Sequence, residues 1–138
     1  MNGPIRVKTI DHVVLRTSRL PEMLQFYQHM LGCNIERELT ELGLTQLRAG
    51  NAIIDIITVD KPLGQLGGEP PSQNGRNLDH FCLQIEYLDE AELLKYLHQH
   101  HVQTEEFTER YGAQGYGRSI YIKDPEGNIV ELKPEKNQ

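Results

Sequence analysis

The chain has 138 residues, with 14 Lys and Arg against 20 Asp and Glu and a formal charge of −6. That length suits one compact domain with a real core, and scattered cations on an acidic chain exclude the basic row that neutralises nucleic-acid phosphates. No apolar run approaches the roughly 20 residues of a membrane helix, and Met1-Asn2-Gly3-Pro4 lacks the basic-then-apolar build of a signal peptide.

A strand is predicted over about residues 5–17, with Val13 and Leu15 on one side and His12 and Val14 on the other. Ser18 and Pro21 bracket a helix start, since Ser can cap and Pro fits a first turn. Leu20, Leu24, Tyr27 and Leu31 follow at helical spacing, and Gly32 stops the helix. Strands at about 34–40, 43–49 and 52–59 come next, separated by Gly43 and Gly50-Asn51. Residues 60–77, rich in Pro and Gly, read as a linker or a cover over a site.

The second half repeats the order. A strand at about 78–86 leads to a helix at about 89–101, capped by Asp89, with Ala91, Leu94 and Leu97 or His98 on one face. Strands near 103–108, 118–123 and 128–133 complete it, the last after the turn Asp124-Pro125-Glu126-Gly127-Asn128. The fold class is therefore α+β, one 138-residue domain of two βαβββ modules at about 5–59 and 78–134. Cys33 and Cys82 lack CxxC spacing and fall in different modules. They are expected as free buried thiols in a reducing compartment, by default the cytoplasm.

The modules look like copies. Thr9-Ile10-Asp11-His12-Val13-Val14-Leu15 is echoed by Asn77-Leu78-Asp79-His80-Phe81-Cys82-Leu83, and each module ends in an apolar strand with one acid, Asp55 or Glu131. Strand period puts His12, His80, Asp55 and Glu131 on the faces opposite their apolar neighbours. Two imidazoles and two carboxylates suit a divalent ion: nickel, cobalt, zinc, manganese or iron. Asp55 is the weakest member. Gly50-Asn51 lies five residues before Asp55 but Gly127-Asn128 lies four before Glu131, so the two acids look out of step.

Other signals are plainer. His98, His100 and His101 gather at a helix end, where cations favour the dipole, and His29 reads as solvent-exposed. The Tyr111-to-Gly117 segment is a lid or a connection, without a phosphate-cradle pattern. Arg16 shares the His12 face, either as a surface cation or as a contact for an anionic substrate.

Three stretches carry a resemblance: Ile10-Asp11-His12-Val13, Phe26-Tyr27 with Leu31-Gly32, and Asp124 to Leu132. Together they resemble the vicinal oxygen chelate superfamily of glyoxalases, bleomycin-resistance proteins, fosfomycin-resistance transferases and extradiol dioxygenases. The resemblance runs from Ile10 to Leu132 and is nearest to small glyoxalase-domain proteins. It implies curved sheets forming an open barrel around a metal, a homodimer, and His12, His80 and Glu131 as ligands. A Glu would be expected where Asp55 stands.

The resemblance further implies a metal-dependent lyase or isomerase of glyoxalase I type. Its small-molecule substrate would be a glutathione or other thiol adduct of a 2-oxoaldehyde. Such a reaction passes through an enediolate on the ion, with Glu131 moving the proton. The alternatives are thiol transfer to an epoxide antibiotic and a non-catalytic drug-binding resistance protein. The former needs only His12, His80 and Glu131.

Overall fold

The computed structural model describes residues 3–137. The chain divides into two compact units, Met1–Pro70 and Pro71–Gln138. Among the described residues no helix is long and apolar enough to cross a membrane.

The first unit runs β1 (His12–Thr17), α1 (Leu20–Leu24) continuing as a π-helical stretch (Gln25–Met30), β2 (Ile35–Leu39), a 3₁₀ turn (Thr40–Leu42), β3 (Leu44–Ala49), β4 (Ala52–Thr58) and a one-turn helix α2 (Pro62–Gln65). Its open sheet has the order β1-β4-β3-β2, with β1 parallel to β4 and the other pairs antiparallel. Leu15, Leu47, Ile54 and Ile56 line one sheet face and are buried with Met23, Phe26, Tyr27 and Met30.

Several expectations change here. β1 is shorter than the predicted strand because pairing with β4 begins only at His12 opposite Ile53. Residues 3–11 are exposed, Ile5, Val7 and Ile10 included. Ser18 does not occupy the cap: Arg19 does, its amide donating to the Thr17 hydroxyl at 2.8 Å. The buried helical stripe is Met23, Phe26, Tyr27 and Met30 rather than Leu20, Leu24, Tyr27 and Leu31. The turn closed by Leu31 N donating to Phe26 O at 3.0 Å is wider than an α-turn, and Phe26 lies edge-on to Tyr27. Gly32 does end the helix, at φ 78°.

The segment after β4 is more than a connection. Arg16 reaches from β1 to the carbonyls of Gly64, Gly68 and Glu69, at 3.0, 2.6 and 2.9 Å, and so holds the loop that contains α2. A side chain on Gly67 would collide with that guanidinium.

The second unit repeats the plan with β5 (His80–Ile85), α3 (Glu90–Gln99), β6 (Thr108–Gly112), β7 (Gly115–Lys123) and β8 (Ile129–Pro134). Its sheet order is β5-β8-β7-β6, again with the first pair parallel. The α+β class and the doubled βαβββ order are thus present in full. Asp89 caps α3, accepting from the amides of Ala91 and Glu92. The buried positions of α3 are Leu93 and Leu97, while Ala91 is exposed. Cys33 is buried as expected, but Cys82 is exposed.

The segment over 103–108 joins a strand only at Thr108, and the Tyr111-to-Gly117 segment is neither lid nor loose connection. It is the end of a hairpin, with Tyr111 opposite Tyr116 and Gly112 opposite Gly115. A buried cation explains the glycines. Lys133 from β8 donates to Gly115 O at 2.7 Å, and a Cβ on Gly112 or Gly117 would come within 2.9 Å of its Nζ or Cε.

Candidate metal centre

The parallel pair in each unit sets the relation between histidine and carboxylate. In the first unit His12 lies opposite Ile53, and Asp55 follows two residues on, opposite Val14. In the second His80 lies opposite Ile129, and Glu131 follows two residues on, opposite Cys82. Asp55 and Glu131 therefore occupy the same place, contrary to the spacing from the preceding turns. The residue opposite the histidine comes two positions after Asn51 in the first unit but one after Asn128 in the second, and pairing to the histidine strand, not distance from the turn, fixes which way a strand residue points.

Both histidines are oriented alike. Nδ1 of His12 lies 2.8 Å from Asp11 Oδ1, and Nδ1 of His80 lies 2.6 Å from Asp79 Oδ2. A carboxylate on Nδ1 holds the proton there and leaves Nε2 as the free lone pair, the arrangement that ion-binding histidines use. The Asp11 hydrogen bond raises the His12 pKa against the opposing effect of burial, with further help from the Asp55 and Asp11 charges. Donation from His80 lowers that of Asp79.

The carboxylates are buried and held from behind. Glu131, 7% exposed, accepts from the Ser119 hydroxyl at 2.6 Å through Oε2, while its Oε1 is 3.4 Å from His80 Nε2. Arg110 donates to both the hydroxyl and the carbonyl of Ser119 and lies 4.1 Å over the Tyr121 ring. Tyr121 in turn meets the His80 ring edge-on. In the first unit Asp55, also 7% exposed, accepts from the Gln46 amide at 2.9 Å, and Gln46 accepts from Arg37 at 3.1 Å.

Among the described residues no three His, Cys, Asp or Glu side chains gather into a metal cluster. Each unit instead holds one imidazole and one carboxylate on the sheet face opposite its core, with donor atoms of the kinds a divalent ion takes. The other sequence candidates serve elsewhere. Arg16 is committed to the α2 loop, His98 Nε2 lies 3.0 Å from the Thr104 hydroxyl, and His100 packs against Tyr96. A cavity of about 430 Å³ in the second unit, lined by Tyr87, Glu90, Tyr116 and Arg118 among others, contains none of the four site residues.

Reading strands for apolar periodicity overlooked Asp11, Asp79, Gln46, Ser119, Arg37 and Arg110. The first two had a signal, since an Asp precedes the His in both copies. The others are separated from their carboxylates by nine to 21 residues and become neighbours only through strand pairing.

Cys82 lies on this face too. Its thiol is pushed up to about 11, first by withdrawal from solvent and then by the Glu131 charge. At pH 8 only about one thiol in a thousand would then be thiolate, the nucleophilic form. We expect iodoacetamide to label Cys82 slowly despite its exposure, with the rate rising about tenfold per pH unit up to about pH 11. Mass spectrometry of the tryptic peptide checks this, and rapid labelling at pH 7 contradicts it.

Two open βαβββ sheets, each with an Asp-oriented histidine and a backed carboxylate, define a duplicated module protein. Residues 9–132 match the model of the Glyoxalase/Bleomycin resistance protein/Dioxygenase superfamily, and the chain belongs to that superfamily. It is similar to an integron cassette protein from the mobile metagenome of V. cholerae, at 26% identity, TM-score 0.71, over 96% of this chain and 98% of that one. Two further likenesses show the fold alone. One is to lactoylglutathione lyase from Agrobacterium tumefaciens (19% identity, TM-score 0.64, 93% and 94% covered). The other is to the fosfomycin resistance protein FosX from Listeria monocytogenes (21%, 0.68, 93% and 91%). No curated protein sequence matches the chain.

Proposed function

We propose that this protein is a metal-dependent isomerase of glyoxalase type, acting on the thiol adduct of a 2-oxoaldehyde. The observation that supports it most is the shared register of His12 with Asp55 and His80 with Glu131, each histidine carrying an Asp on Nδ1. His12 and Asp55 in the first unit, and His80 and Glu131 in the second, would be the donors to a divalent ion. A bound divalent ion would supply Lewis acidity toward two adjacent substrate oxygens.

The chain's own residues do the rest. Glu131 takes the proton from the carbon that carries the thiol and returns it to the adjacent carbon. The hydroxyl proton passes to the neighbouring oxygen, so an α-hydroxy thioester leaves with every atom of the hemithioacetal and no oxidant consumed. Ser119 keeps Glu131 in place throughout, and Asp79 keeps the His80 ring from turning.

The test is elemental analysis of the purified protein and of His12→Ala, with hemithioacetal isomerisation assayed across nickel, cobalt, zinc, manganese and iron. Stoichiometric metal that is lost in the variant, with metal-dependent turnover, supports the proposal. Metal without turnover keeps the ion site and points to thiol transfer. No metal under any loading rejects the four-residue site and leaves a drug-binding protein.

A further inference from the structure

We propose that Ser119 and Arg110 are positioning residues for Glu131: together they dictate which carboxylate oxygen is offered to an ion and from which direction. The inference rests on the donor reading above and concerns groups that touch neither ion nor substrate.

An arginine side chain only donates hydrogen bonds and is always charged. Arg110 Nη1 donates to the Ser119 hydroxyl oxygen at 2.9 Å and to the Ser119 carbonyl at 2.8 Å. The hydroxyl is therefore an acceptor toward Arg110, and its single hydrogen goes to Glu131 Oε2, 2.6 Å away. Ser119 is fully buried, so water does not offer the hydroxyl another partner. Its contact with Tyr121 holds the guanidinium in turn.

The consequence falls on the other oxygen. With Oε2 engaged, Oε1 is the one left on the His80 side, 3.4 Å from Nε2. A carboxylate free to swing would offer an ion one oxygen or both, while a tied one presents a single lone-pair direction beside the imidazole. Preorganisation of this kind strengthens binding by removing rotamers that must otherwise be frozen.

The first unit reaches the same end with different residues. Arg37 donates to Gln46 Oε1, which decides the orientation of the amide, so Nε2 is turned to Asp55 Oδ1. Gln is longer than Ser and Asp is shorter than Glu, so the reach from backing residue to carboxylate is conserved by exchange. A merely incidental bond would not be expected to recur in both units as arginine, polar relay and carboxylate on three successive strands.

The experiment titrates metal-free, full-length protein with cobalt(II), followed by calorimetry and by ligand-field absorption, for wild type, Ser119→Ala, Arg110→Met and His80→Ala. Urea unfolding of each metal-free protein runs beside it. We expect Ser119→Ala to weaken cobalt(II) binding about 10- to 100-fold and to alter the absorption band. The urea midpoint should move too little to account for this. Arg110→Met, which frees the hydroxyl to rotate, should change affinity in the same direction and decides the question if Ser119→Ala does not fold. Wild-type affinity and spectrum in either folded variant, with binding lost in His80→Ala, overturn the positioning role and leave the donor reading standing. No cobalt(II) binding by wild type overturns both.

Discussion

Replacing Glu131 with Gln is expected to lower hemithioacetal turnover at saturating metal by about 10²- to 10⁴-fold, the usual worth of a positioned acid or base. Shape is nearly unchanged, so the fold should survive. The amide, however, cannot take up a proton at neutral pH, and its orientation is not free. The Ser119 hydroxyl donates, so the carbonyl end of Gln would turn to it and the NH₂ end would face His80 Nε2. A donor would then stand where Oε1 stood, and ion affinity should fall together with turnover. Assaying at several metal concentrations separates the two effects. Restoration of full turnover by excess metal would remove Glu131 from proton transfer while keeping it as a ligand.

Asp124→Ala should destabilise the second unit by about 3 kcal/mol, since each buried group stripped of its partner costs about 1–3 kcal/mol. The Asp124 carboxylate accepts from the amides of Glu126 and Asn128, both at 2.9 Å, and from the Asn128 side chain at 2.8 Å. Asp124 and Asn128 are both buried, so water does not readily replace these bonds. The turn needs Gly127 at φ 93°, a backbone few side chains tolerate. It also launches β8, which begins two residues before Glu131, so its loss should weaken ion binding as well. Asp124→Asn keeps an oxygen for the two amides but sets one NH₂ against another, and an intermediate loss is expected. Urea denaturation measures both, and a loss below about 0.5 kcal/mol in the Ala variant, the scale of a neutral surface change, contradicts this account of the turn.

The turn also shows what was legible in the sequence. Asp124-Pro125-Glu126-Gly127-Asn128 could be read as a turn because its chemistry is local: a short acceptor, a proline and a glycine within five residues. The same holds for the Asp89 cap, the Gly32 stop and the doubled Asp-His motif. The helix face was misread because two apolar stripes, Leu20-Leu24-Tyr27-Leu31 and Met23-Phe26-Tyr27-Met30, both fit helical spacing, and only the tertiary structure shows that the second is the buried one. The predicted strand over residues 5–17 failed at its start for another reason. An alternating pattern describes a strand's faces but does not supply a partner, and among the described residues no partner strand is present before His12.

By itself the sequence determined the βαβββ repeat, the two histidines with their preceding aspartates, and the acid in each last strand, because periodicity and copying are properties of the linear chain. Tertiary structure alone decided that Asp55 and Glu131 stand in equivalent places, because register is set across the strand pair and not along the strand. It alone revealed the arginine and polar residue behind each carboxylate, since a hydrogen bond between strands joins residues whose separation in sequence carries no signal. It alone turned the Tyr111-to-Gly117 segment from a lid or a connection into the end of a hairpin in which Gly112 and Gly117 make room for Lys133. In each case the deciding contact is nonlocal, and the physical reason is that a sheet brings together what the sequence keeps apart.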